Sequence, residues 1–374
     1  MYNNALEILK TLNKNNFEAY IIGGYPRDLY LKIENKDIDI CTNAKYKDLK
    51  KLFKEIKDNK YGSYKIKYKN QQYEITTFRK ETRYIKNRFP KKTKYTKYLK
   101  KDLKRRDFIM NTLCIDRYGN YVDILDAKKD IEEKIIRLIG SKNRIKEDSL
   151  RILRAIRFAT KLNFKLDKKL EDAIIKYKPY LENLSSDRKK QELEKILKDK
   201  NAKYGIELIK KYDLEKYLNI NLNNLVLTQN INGIWAQILI DETYNFTKEE
   251  YKEINSIIKL KEKKYNIYDL YKYGPKILET VNEIKKENEN IKQKYKDLKI
   301  KDRDEIDINF FEICEITNAT NKQIKTIYED LEKQIINNKL ENKNEEIKKY
   351  LKDKVSKWYF FLIINKKILQ YIKE

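Results

Sequence analysis

The amino-acid sequence predicts an α/β or α+β head followed by a nearly all-helical remainder. Three observations carry this reading. Five of the eight glycines (Gly23, Gly24, Gly62, Gly119, Gly140) fall in the first 140 residues. The same stretch holds short strand-like runs (AYIIGG, DIDIC, YKIKYK, QYEITTF, NTLCID and YVDIL) with helical patterns such as AKYKDLKKLFKEIK between them. After Gly140 the strand signals thin out and helical periodicity takes over.

Composition bounds the chemistry. With 374 residues, 40% of them hydrophobic, the chain is long enough for two or more domains. Lys and Arg total 85 against 58 Asp and Glu, a net charge of +27. Codon bias toward Lys, Asn, Ile and Tyr accounts for many lysines but not for their excess over acids. A polyanionic partner is the simplest reading, and nucleic acid comes before membrane. Histidine is absent, which excludes Ser-His and Cys-His triads, His-ligated metals and His-Asp phosphohydrolase sites. Cys41, Cys114 and Cys314 are far apart and odd in number, so neither a disulfide framework nor a zinc spacing is visible, and a reducing cytosol fits. MYNNALEILKTLNK reads as the start of an amphipathic helix rather than a signal peptide. No apolar run is long enough to span a membrane.

Taken in order, Tyr20-Ile21-Ile22 reads as a buried strand, and Gly23-Gly24 allows a sharp turn and close approach of a ligand. Pro26 suits the start of a helix, and Arg27 and Asp28 begin that helix. A strand, a Gly-Gly turn and a helix start can cradle a phosphate on backbone N–H groups. Arg27 would add a fork of donors to a triphosphate. In KDIDIC the alternation places Asp37 and Asp39 on one face and Ile38 and Ile40 on the other, toward the core. Two carboxylates on one face repel unless a cation sits between them, and an oxygen-only site without His points to Mg²⁺. Such a site serves phosphoryl or nucleotidyl transfer; the alternative is a solvent-facing pair on an edge strand. Glu74 in QYEITTF faces opposite to Tyr73 and Ile75, and is either a third carboxylate, as ligand or base, or a surface strand residue.

RIKEDSLRILRAIRFATKL reads as one strongly periodic helix carrying Asp148, Arg151, Arg154 and Arg157 three apart. One reading is an intrahelical ion-pair ladder, each pair worth about 0.2–0.5 kcal/mol. The other makes Asp148 and Arg151 a reader of base edges. Cytosine and adenine both offer an amino donor beside a ring-nitrogen acceptor; guanine and uracil offer a carbonyl beside an N–H. A carboxylate and a guanidinium therefore fit C and A, with roughly 1–3 kcal/mol of discrimination. DRKKQELEKILKD and AKYGIELIKKYDLEKYL continue the helical pattern, and Pro179 and Pro275 punctuate the helical remainder. The charge-dense stretch 281–305 reads as a solvated helix or linker, with RNA contact as the lesser alternative.

GGYPRD, DID, EITTFR, LKRRDFIMNTL, EDSLRILRAIRFA and SSDRKKQEL, in this order and spacing, resemble the class II tRNA nucleotidyltransferase family, which includes CCA-adding enzymes and bacterial poly(A) polymerases. The resemblance covers roughly residues 1–200. It implies an α/β nucleotidyltransferase head of the polymerase-beta type with a mixed sheet over 1–138, a helical neck over 139–200, and a helical body and tail over 201–374. It implies that Gly24 and Arg27 bind the triphosphate, that Asp37 and Asp39 hold Mg²⁺, and that Arg106, Asp148, Arg151, Arg154 and Arg157 bind the incoming nucleotide. Arg188 and Glu192 would brace the neck helices. The implied partners are tRNA, with ATP and CTP as substrates, and no membrane; an oligomeric state is not implied. The chain departs from the family at Pro26, usually aliphatic, at Arg88-Phe89-Pro90, often Arg-His-Pro, and at Ile109, usually Thr. In the family a flexible loop, here the basic, Tyr-rich segment from Lys80 to Lys104, accompanies the switch from C to A addition. The expected activity is CCA addition, with A-only addition, poly(A) synthesis or catalytically idle RNA binding as alternatives.

Overall fold

The computed structural model describes residues 1–58, 62–85 and 89–356. They form two compact units, residues 1–223 with 239–245, and residues 224–238 with 246–356.

The first unit opens with helix α1 (Tyr2–Lys14), strand β1 (Ala19–Ile22) and helix α2 (Gly24–Tyr30). There follow β2 (Asp39–Thr42), α3 (Tyr46–Leu52), β3 (Ile56–Asp58), β4 (Ser63–Tyr68) and β5 (Gln71–Thr77). A separate hairpin, β6 (Arg79–Ile85) and β7 (Phe89–Tyr95), leads to the short α4 (Leu99–Leu103). Strands β8 (Cys114–Ile115) and β9 (Tyr121–Val122) and helix α5 (Ala127–Glu132) complete the head. The main sheet has seven strands in the order β3-β4-β5-β2-β1-β8-β9; β2 and β5 run parallel and the other pairs antiparallel.

Strand periodicity decides which side chains reach each core. Ile38 and Ile40 lie in the cluster formed with Ile8, Leu9 and Leu12 of α1 and Ile75 of β5. Burying each such side chain contributes about 1.5–3 kcal/mol. Ile22, Cys41 and Cys114 belong to a second cluster with Phe78, Leu99 and Leu103. The register pairs Ile22 with Asp39, so the Asp39 carboxylate shares the face of this second, smaller cluster.

Three element boundaries differ from the sequence reading. The helix expected through Lys57 stops at Phe53, whose backbone is extended (φ −125°, ψ 122°), because Ile56–Asp58 pairs with β4 as an edge strand. The segment from Lys80 to Lys104 is a hairpin followed by α4, with Arg79 paired to Tyr95 and Ile85 to Phe89; Arg88 lies outside the described residues. The long helix expected from Arg144 to Leu162 is two, α6 (Asn143–Glu147) and α7 (Leu150–Leu162). Asp148 breaks it with an extended backbone (φ −143°, ψ 98°). The break is stabilised locally: Asp148 Oδ1 accepts from the Leu150 N–H, and the buried Ser149 hydroxyl donates to the Tyr180 carbonyl.

Helices α9 (Ser186–Leu197) and α10 (Ala202–Lys211) pack on α7, and α8 (Lys168–Tyr177) packs on α6. The first unit extends past residue 200 because α10 lies flush on its neighbours. A Cβ at Gly205 would fall 2.5 Å from both Thr160 Oγ1 and Ile196 Cγ2, and Asn201 Nδ2 donates to the Thr160 carbonyl.

The second unit is helical in its described residues, with Ile231–Ile238, Lys248–Lys261, Ile267–Lys285, Ile291–Lys296, Phe310–Thr317 and Asn321–Ile336 as helices. Gly274 (φ 77°) kinks the third of these ahead of Pro275, which can neither donate nor clear the preceding turn. The stretch 281–305 is not a solvated linker throughout: Ile291, Leu298 and Ile300 are buried. Among the described residues no helix is long and apolar enough to cross a membrane.

Candidate active site

The Gly-Gly turn and the acidic strand meet at β1–β2. Gly23 adopts φ 90°, ψ −131°, a conformation that side-chain-bearing residues rarely take. A Cβ there would approach Asp39 Oδ2 to 3.3 Å. The bare glycine thus lets the turn lie against the carboxylate. Helix α2 starts at Gly24, so Pro26 falls in its first turn, where the missing N–H breaks no helical bond.

Strand β2 starts at Asp39, and Asp37 lies on the exposed segment leading into it. Strict strand alternation therefore does not hold the two carboxylates; what does hold the lead-in segment is a bond from the Asp37 N–H to Asn35 Oδ1, 2.8 Å. Glu74 is the register partner of Asp39 on β5 and accepts from the Ser63 hydroxyl. Burial, then the neighbouring Asp37 and Glu74 carboxylates, push the Asp39 carboxyl up to about 7, with Arg106 pulling the other way. Among the described residues no three acidic or thiol groups converge closely enough to hold a metal by themselves. The donor set still fits Mg²⁺: an oxygen-only, mutually repelling cluster beside the Gly23-Gly24 turn. Mg²⁺ typically takes one or two carboxylates and completes its shell with phosphate oxygens and water.

Arg106 stands beside this cluster. Its NH2 donates to Asp102 Oδ2 at 3.2 Å, and its buried Nε has no partner. Asp102 is fully buried and also takes Arg105 Nε and the Arg79 N–H. Burial alone would push its carboxyl up, but the Arg105 and Arg106 guanidiniums hold it below the usual range.

Arg27 is turned inward. It is 1% exposed; its Nε and NH2 donate to Asp28 Oδ1, its NH1 donates to Asn111 Oδ1, and its guanidinium lies 5.2 Å from the centre of the Phe158 ring. Engaged with Asp28 and Asn111, the Arg27 guanidinium supports the turn from beneath.

The α7 arginines are not a ladder. Each docks α7 on a different element. Arg151 NH1 donates to the Arg144 carbonyl and lies 3.7 Å from Glu147 of α6. Arg154 gives both Nε and NH2 to Asp107 Oδ2 of the head, at 2.8 and 2.5 Å. Arg157 pairs with Glu192 of α9 at 2.6 Å and lies over Phe158. Burial would raise the Asp107 carboxyl, yet Arg154 holds it well below the ordinary carboxylate range. Asp148, at the start of α7, and the buried Arg151 lie beside one another along the chain, linked by the Arg151 N–H to the Asp148 carbonyl. Glu192 braces the neck as expected of it, whereas Arg188 is exposed and bonds Gln191 of its own helix.

Several residues here gave no separate signal in sequence: Asn35, Asn111, Asp102 and Asp107. Asp107 and Asn111 do lie within LKRRDFIMNTL, but only the fold shows which arginines they meet.

A mixed sheet with a Gly-Gly turn against a strand-borne carboxylate, backed by an arginine-bearing helix, defines a nucleotidyltransferase of the polymerase-beta type. Residues 19–137 match the Poly A polymerase head domain, 163–224 the Probable RNA and SrmB-binding site of polymerase A, and 242–351 tRNA nucleotidyltransferase domain 2. The chain is 31% identical over 315 residues to the CCA-adding enzyme of Ligilactobacillus salivarius, covering 76% of this chain and 78% of that one. Against the CCA-adding enzyme of Enterococcus faecalis it is 37% identical over 208 residues, and the match spans 55% of this chain and about half (51%) of the relative. The chain belongs to the CCA-adding family of tRNA nucleotidyltransferases. In fold it superposes on the Bacillus stearothermophilus CCA-adding enzyme in complex with CTP with a TM-score of 0.81 at 24% identity, covering 96% of this chain and 98% of that one.

Proposed function

We propose that this protein transfers CMP and AMP from CTP and ATP to the 3′ end of tRNA, without a nucleic-acid template, and releases pyrophosphate. The observation that carries the reading is the Asp39 carboxyl, held against Gly23 and beside like charges from Asp37 and Glu74. Relatives and structural neighbours named CCA-adding enzymes, including ones in complex with CTP, with ATP and with tRNA, support it.

Asp37 and Asp39 would hold Mg²⁺. The ion supplies charge neutralisation at the attacking and phosphate oxygens. The Gly23-Gly24 turn receives the triphosphate, with Arg106 beside it, so that the 3′-oxygen forms a bond to the α-phosphorus as the bond to pyrophosphate breaks. Glu74 is the third carboxylate, placed to accept the proton of the attacking hydroxyl. Asp148 accepts from the amino group of cytosine or adenine, and Arg151 donates to the ring nitrogen. Arg154 and Arg157 fix the helix that carries the pair. In domain terms, residues 1–138 catalyse, 139–200 read the base, and 201–374 bind tRNA through a basic surface whose contacts are salt-sensitive and sequence-blind. The substrate and the free thiols fit the cytoplasm.

The test uses a tRNA lacking its three terminal nucleotides, given CTP and ATP together with Mg²⁺. Three additions followed by a stop are expected. Failure to add C, with A added to a tRNA already ending in CC, establishes the A-adding activity instead. Continued A addition establishes a poly(A) polymerase.

A further inference from the structure

We propose that Asn35 is a positioning residue that holds the Asp37 carboxylate in place from a buried anchor, Asp28. The inference rests on the role of Asp37 given above. Sheet pairing does not fix Asp37, since the β1–β2 register begins at Asp39 opposite Ile22. Its backbone is held instead by the N–H bond to Asn35 Oδ1 at 2.8 Å. A turn of that kind on its own would move with the loop. Here the other arm of the same amide is tied to the fold: Asn35 Nδ2 donates to Asp28 Oδ2 at 2.8 Å. The amide also lies over the phosphate-binding turn, 3.5 Å from where a Gly24 Cβ would stand.

Asp28 is a rigid anchor. It is fully buried. Its Oδ1 takes Arg27 Nε (2.7 Å) and NH2 (2.5 Å), and its Oδ2 takes Asn35 Nδ2 and, at 3.1 Å, Lys161 Nζ. A carboxylate has about four acceptor positions, and these four donors occupy them. Lys161 belongs to α7, the helix that follows Asp148 and carries Arg151. One buried carboxylate therefore sets both the segment presenting Asp37 and the far end of the base-reading helix. The chemistry requires an amide. Its oxygen accepts from Asp37 and its nitrogen donates to Asp28; an Asp in its place would set a second anion against Asp28, and a Ser keeps an acceptor but does not reach the anchor.

The test compares the full-length chain with Asn35→Ala, Asn35→Asp and Asn35→Ser. In metal-free protein, hydrogen exchange at the Asp37 amide should quicken about fivefold in Asn35→Ala, in keeping with loss of one net hydrogen bond. The Mg²⁺ concentration for half-maximal CMP addition should rise about tenfold, the low end for losing a supporting contact at a metal site. CTP binding measured in EDTA should stay unchanged. Asn35→Asp should be at least as impaired as Asn35→Ala, and Asn35→Ser intermediate. Unchanged exchange at Asp37 in both Asn35→Ala and Asn35→Ser overturns the proposal. So does a Mg²⁺ requirement equal to that of the parent. Should the parent itself show no Mg²⁺-dependent addition, the assigned function fails, and the exchange measurement still decides whether Asn35 holds Asp37.

Discussion

The two charged clusters of the first unit are treated in opposite ways by the fold. On α7 each arginine meets a counter-group: Arg151 the α6 carbonyl and Glu147, Arg154 Asp107, Arg157 Glu192. On β2 the Asp39 carboxylate meets more carboxylate. Charges with partners fix a geometry. Charges set against their own kind are costly to the apoprotein and are relieved when a cation binds. The contrast separates a scaffold from a centre built to bind a metal.

The sharpest way to break the comparison is to remove the unrelieved charge. Asp39→Ala should reduce nucleotide addition by roughly a thousandfold or more, since metal-assisted charge stabilisation is worth several kcal/mol. Binding of tRNA, measured separately, should survive. Near-normal turnover in Mg²⁺ would remove β2 as the metal-binding strand.

Removing a paired charge should act on stability before chemistry. Asp107→Ala leaves the partly exposed Arg154 without this anion, a loss of about 1–2 kcal/mol once solvent screening is allowed for. Urea denaturation with EDTA present would measure this. A cost near zero would mean that the head and α7 are held by packing alone.

Asp148 and Arg151 lie between the two cases, because they are proposed to read the base as well as to sit in the scaffold. Replacing both should shrink discrimination against UTP and GTP by about 1–3 kcal/mol. Single-nucleotide incorporation with each triphosphate is the measurement. An intact preference for C and A alongside lowered stability would make them scaffold only.

A pH dependence probes the same unrelieved charge. In metal-free protein the Asp39 carboxyl titrates near 7, against about 3.9 when unfolded. The folded state therefore holds this proton more tightly. The associated stability is fully present below about pH 4, is lost as pH rises through about 7, and then levels off. Asp39→Asn should flatten that part of the profile relative to the parent. At pH 8 Mg²⁺ should stabilise the parent more than the variant. Parallel profiles for the two proteins would mean that neither burial nor like charge stresses Asp39.

Much of this was legible in the linear sequence. Gly23-Gly24 marked a turn because no side chain suits φ 90°. Ile38 and Ile40 marked the core face by their period of two. The loss of strand patterns after Gly140 marked the change to helices. These are local properties, set by backbone sterics and by which residues can leave water. Tertiary structure decided the rest. An edge strand at Ile56–Asp58 displaced the end of a well-patterned helix because pairing with β4 outweighs local propensity. Asp148 split a continuous periodic run because its side chain and that of Ser149 stabilise the break. Arg27 could be recognised as important but not as buried, since its partner Asn111 is 84 residues away. Which anion each arginine meets, and that Asp39 faces another carboxylate in Glu74, depends on contacts between distant segments. The local pattern of a chain carries its periodicity, whereas the electrostatic environment of a group exists only once the chain has folded around it.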